Sequence, residues 1–160
     1  MTAHEDIYLN TDQDLKPVVD LFASHLSDHK SLINISSPDK GEKYRINLPS
    51  FLVDCGKTTH NNYARSGLAS YGFIPTIRLN FLPSTEPLRE LMRDLIIKSS
   101  VQVMNATQWD IAIEFQNGDF AILTRVSGQL TLYNWHGLWT DQRLAFVTIP
   151  YSIVSSYLNE

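Results

Sequence analysis

Cysteine and histidine are the usual starting points for nucleophilic or metal chemistry, and this chain holds one cysteine and five histidines. Cys55 and His60 supply the residue types of a thiolate and its base. Cys55 also closes the apolar run Phe51-Leu52-Val53-Asp54-Cys55, where a cysteine serves as a small core residue. His25 and His29 lie four apart, a spacing that suits two metal ligands on one helix face. Flanking Asp28 at a helix end, they equally form a solvated terminus favoured by the helix dipole. Glu86 and Glu90 stand with Arg89 and Arg93, and i,i+3 pairing on an exposed helix face accounts for them without acid–base work. No glycine-rich phosphate loop, metal-ligand pair of Cys and His, or G-x-S-x-G elbow appears. The expectation is a chain with no catalytic residue, no metal and no cofactor.

The remaining chemistry is that of recognition. Tyr133, Trp135, His136, Trp139, Tyr151 and Tyr157 form an aromatic and polar group after the last clear strand. Such side chains bury large areas while keeping a polar edge, so they serve as interface anchors and as core caps alike.

The elements that must position these residues are legible from periodicity. A strand over Ile7 to Asn10 precedes a helix whose Leu15, Val18, Val19, Phe22 and Leu26 form one apolar stripe, with Pro17 in its first turn and Asp14 as N-cap. Extended segments follow at Leu32 to Ser36, Tyr44 to Leu48 and Phe51 to Cys55. The stretch YGFIPTIRLNF, residues 71–81, turns at Gly72 and Pro75 and then alternates Ile77, Leu79 and Phe81 against Thr76, Arg78 and Asn80. A second helix spans Glu86 to Met104, with Leu88, Leu91, Met92, Leu95 and Ile96 on one face.

An offset of 70 matches Ile7 with Ile77, Leu9 with Leu79, Asn10 with Asn80, Pro17 with Pro87 and Leu21 with Leu91. The chain therefore reads as two βαββ units, about residues 5–55 and 75–135, within a single domain over residues 1–160. Asn117-Gly118 and Ser127-Gly128 mark tight turns in the last strands. A two-residue turn at Asn117-Gly118 sets Phe115 against Phe120, Ile113 against Ile122 and Asp110 against Arg125. Leu130 and Leu132 then fall on the other face from Ile113 unless a bulge intervenes. The fold class is α+β: a mainly antiparallel sheet with two helices packed on one face.

Composition limits the partners. At 160 residues, 43% hydrophobic and 19% charged, the chain can bury a real core. A formal charge of −4 gives no basic footprint for nucleic acid. No leader of charged then apolar residues stands at the N-terminus, and no apolar run reaches the roughly 20 residues that span a bilayer. The expectation is a soluble, cytoplasmic protein.

The segment from Tyr71 to Thr76, the amphipathic helix after it, Asp110, Asn117-Gly118-Asp119, Ile122 to Arg125, Gly128-x-Leu130 and Trp139 resemble one bacterial family. These are the immunity proteins that accompany swarming-inhibition toxins, a polymorphic toxin system of competing cells. The resemblance covers roughly residues 71–151. The chain departs from it at Asp119, where the family carries glutamate, and in a less acidic, less arginine-rich helix and hairpin. What the resemblance implies is a non-catalytic protein that binds and neutralises a cognate toxin domain. On that basis Trp135, His136 and Trp139 are expected to form an aromatic anchor, and Asp39, Glu42 and Asp54 acidic contacts to a basic toxin. A second reading is a small-molecule sensor similar to the gyrase-inhibitory-like family, with Arg78, Asn80 and Glu114 in a cleft between the halves.

Overall fold

The computed structural model describes residues 4–26, 33–37, 41–58, 71–116 and 120–155. In chain order they form β1 (Glu5–Asn10), α1 (Leu15–Leu26), β2 (Asn34–Ser36), β3 (Lys43–Asn47), β4 (Phe51–Lys57), β5 (Ile77–Pro83), α2 (Arg89–Ala106), β6 (Asp110–Phe115), β7 (Phe120–Val126), β8 (Gln129–Tyr133), α3 (Asp141–Leu144) and β9 (Tyr151–Val154). The strands make one open sheet in the order β2-β3-β4-β5-β1-β6-β7-β8-β9, antiparallel throughout except for β8 and β9. The fold is α+β, and one continuous core joins the inward side chains of the strands to α1 and α2.

The internal match is visible in the register. β1 and β5 are neighbours, with Tyr8 opposite Arg78, Ile7 opposite Leu79 and Leu9 opposite Ile77. Under the 70-residue offset the Ile7–Leu79 and Leu9–Ile77 pairs exchange and Tyr8–Arg78 maps onto itself, so the two strands are related by a local two-fold. The strands that follow fill the sheet in opposite orders. In the first half β2 is outermost and β4 closes on β5, whereas in the second β6 is innermost beside β1 and β8 lies outside it.

The stripe of α1 is buried at every position the periodicity named. The face of α2 is different: Leu91 is 48% exposed, while Met92, Ile96, Ile97, Val101, Val103 and Met104 are buried. The reason is a second cover. Arg143 of α3 donates to Asp94 Oδ1 at 2.8 Å and to Glu90 Oε2 at 2.6 Å, fastening the segment after β8 onto α2. The buried arc is thereby wider than one amphipathic stripe.

The arginines of α2 also depart from expectation. Arg89 and Arg93 do not lie on an exposed face; they are buried and converge on the fully buried carboxylate of Glu5. Glu5 Oε1 accepts from Arg89 Nη1 at 2.6 Å and from Arg93 Nη2 at 3.0 Å, and Oε2 accepts from Gln116 N at 3.0 Å. Arg93 also lies over the Phe115 ring, 4.7 Å from its centroid.

The hairpin register shifts by one residue. Asn117 and Gly118 lie outside the described residues, but Phe115 does pair with Phe120. A bulge then sets Ile113 opposite Leu123 and Ile111, not Asp110, opposite Arg125. The bulge brings Leu123 to the core face, where Leu132 is its neighbour on β8. It also leaves Ile122 out of the ladder, and the Trp139 indole N–H donates to the Ile122 carbonyl at 3.1 Å. Trp139→Phe is expected to lower stability by about 1–3 kcal/mol, because that buried carbonyl loses its donor. Equal urea midpoints for the variant and the parent would show that Ile122 finds another donor.

Candidate functional site

Helices cover one face of the sheet, and polar side chains collect on the other. Two rows cross this second face by strand register. One runs Lys43, Gly56, Arg78, Tyr8, Ala112, Thr124; the next runs Arg45, Asp54, Asn80, Asp6, Glu114, Ala121. Tyr8, Ala112 and Ala121 are covered by Tyr71 and Phe73 of the turn before β5, which pack there as a small second core. On the β3–β5 side a recess of about 510 Å3 remains open, flanked by Lys43, Arg45, Asp54, Arg78 and Asn80.

The centre of the second row carries two adjacent carboxyl groups. Asp6 is 2% exposed, and its Oδ1 accepts from Arg78 Nε at 2.9 Å and Asn80 Nδ2 at 2.8 Å. The His4 imidazole lies 3.1 Å from its Oδ2. Glu114 has no hydrogen-bond partner among the described residues. Burial first, and then the charge of Asp6, pushes its carboxyl up to about 8. At neutral pH the Glu114 carboxyl therefore keeps its proton.

Cys55 is buried against the helix side, and desolvation with the nearby charge of Asp54 pushes its thiol up to about 12. A thiol so placed stays protonated and packs as a small apolar residue. His60 and His29 lie outside the described residues, while His25 lies in the last turn of α1. Among the described residues no three His, Cys, Asp or Glu side chains converge to hold a metal ion. No helix there is long and apolar enough to cross a membrane.

The residues expected to meet a partner fall in separate places. Trp135, half-buried, meets exposed His136 edge to face with ring centroids 5.0 Å apart, just past β8. Trp139 is 5% exposed and belongs to the core. Asp54 on β4 is paired with Arg45 at 2.7 Å, exposed Glu42 precedes β3, and Asp39 lies outside the described residues. Five strand steps separate β4 from β8, roughly 24 Å at the usual strand spacing. The aromatic and acidic groups thus belong to different regions of the molecule.

The sequence comparison adds the decisive observation: residues 6–143 match the family model described as SitI3-like. This chain belongs to the SitI3-like family. The SitI3-like match spans both halves of the sheet from β1 to β8 and reaches α3, so the N-terminal strand and helix are included with the later segments. No curated protein and no solved structure matches the chain.

Three residues of the polar architecture escaped sequence reasoning. Glu5 and Asp6 open β1 as a charged pair before an apolar alternation, and Trp109 stands in the turn between α2 and β6. The first two carried a faint signal, since consecutive acids leading an interior strand must find buried cations. Trp109 carried none, because its neighbours across the β1–α1 turn are far away in sequence.

Proposed function

We propose that this chain is a non-catalytic immunity protein that binds and neutralises a cognate toxin domain in the cytoplasm of the producing or kin cell. Membership of the SitI3-like family over residues 6–143 is the observation that carries this reading. A sheet braced by buried ionic contacts presents a preformed surface, which limits the ordering cost of binding. The protein acts as one unit over residues 1–160. Trp135 and His136 supply aromatic contacts near β8, while buried Trp139 fixes the segment that follows them. Glu42 and Asp54, with Asp39, supply acidic contacts near β3 and β4. Calorimetric titration of the chain with the toxin domain encoded beside it is expected to give a one-to-one complex, with a Kd in the nanomolar range or below. Absence of heat and of co-elution at micromolar concentrations would remove the binding function.

The recess beside Gly56 favours a second reading, small-molecule sensing, because Lys43, Arg45 and Arg78 gather there with Asn80. That reading calls for an anionic ligand that raises the melting temperature and loses its effect in Lys43→Ala.

A further inference from the structure

At one end of the sheet a groove of about 770 Å3 lies between the β1–α1 turn, residues 10–13, and the α2–β6 turn, residues 106–110. Both walls are fixed from within. On the first, Thr11 N donates to Thr76 Oγ1 at 3.0 Å, Thr76 Oγ1 lies 3.0 Å from Thr11 O, and Gln13 N donates to Thr11 Oγ1 at 3.1 Å. On the second, Arg125 reaches beneath the turn from β7. It donates to Met104 O at 2.7 Å, Thr107 O at 3.1 Å and Trp109 O at 2.8 Å.

Arg125 is 5% exposed. Desolvating a guanidinium opposes folding, and its hydrogen bonds go to carbonyls and the Thr107 hydroxyl rather than to a carboxylate. The negative end of the α2 dipole offsets part of that penalty. What the contact secures is the shape of the turn that carries Trp109.

Between the fixed walls the fold leaves polar capacity unused. The indole N–H of half-buried Trp109, the carboxylate of exposed Asp12 and the side-chain amides of Gln13 and Gln108 make no hydrogen bond or ion pair among the described residues. Asp110 commits one oxygen to Ser127 N at 3.0 Å. The groove is lined by the acids Asp12 and Asp110 with no Lys or Arg, and exposed Glu42 stands at the same end of the sheet. A rigid, partly apolar groove with negative charge and a tryptophan suits a cationic side chain, its head on the carboxylates and its stem on the indole.

We propose that this groove receives a cationic segment of the partner toxin, with Trp109 as the anchor and Arg125 as a positioning residue that holds it. The proposal rests on the immunity reading above and assigns its acidic contacts a centre at Asp12 and Asp110. The test is titration of the full chain with the toxin domain encoded beside it, using the parent, Trp109→Ala and Asp12→Lys. Asp12 is exposed and its side chain makes no hydrogen bond or ion pair among the described residues, so its variant is expected to fold whatever happens at Trp109. Each substitution is expected to weaken binding at least about tenfold. The Asp12→Lys loss should shrink as salt rises, because it is electrostatic. Binding by both variants within about twofold of the parent would overturn the groove and leave the immunity reading standing. A parent chain that forms no complex would overturn both. A parent dimer dissociated by either substitution would assign the groove to a second copy and overturn the toxin as its occupant.

Discussion

Glu5→Leu is expected to lower stability by about 3–5 kcal/mol, the usual penalty for removing one partner of a buried ion pair. The Glu5 carboxylate is 0% exposed and shared by two guanidiniums and a backbone amide. Without it the ion pairs left to Arg89 and Arg93 among the described residues are those with the exposed carboxylates of Glu86 and Glu90, at 2.7 and 3.0 Å. At roughly 2–4 °C per kcal/mol for a chain of this size, the melting temperature falls by about 6–20 °C. The control is Glu5→Leu with Arg89→Met and Arg93→Met together. Removing the charges as a set relieves the unpaired cations, so the triple variant recovers much of the loss. A single variant that melts with the parent would show that Glu5 is not the charge that holds α2 to the start of β1.

Glu114→Gln should change how stability depends on pH. The native carboxyl is raised to about 8, against an ordinary value of 4.5 in the unfolded chain. Between those values the native state holds a proton that the unfolded state releases. The contribution is thus fully present below about pH 4.5 and is lost as pH rises through about 8. Relative to the glutamine variant, the parent should lose on the order of 3 kcal/mol between pH 5 and pH 9. Glutamine keeps the shape of the neutral acid but cannot ionise beside Asp6. Urea unfolding at the two pH values gives the comparison, and parallel pH profiles for the two proteins would contradict the placement of Glu114.

Elements built on local periodicity were legible in the sequence. The stripe of α1 lies within twelve residues, and the alternation in β5 within seven, so each follows from chain geometry alone. The offset that pairs Ile7 with Ile77 reappears as Tyr8 opposite Arg78. Features set by distant partners were not legible. Counting from Asn117-Gly118 put Asp110 against Arg125, and only the bulge, with Trp139 taking the freed Ile122 carbonyl, moves Arg125 under α2. The pairs on α2 looked complete at i,i+3 because Glu5, their third member, lies more than eighty residues away. The same distance hid the groove, since Asp12 and Trp109 meet only when β1 and β6 pair. Among the residues expected to bind, the sequence distinguished aromatic from acidic character but not that Trp139 points inward.

Protection of a living cell is the most direct measure of immunity. On the proposed function, cells expressing the C-terminal domain of the adjacent open reading frame should stop growing, and growth should return only when the chain is co-expressed. Arrest that persists unchanged in its presence would contradict the assignment.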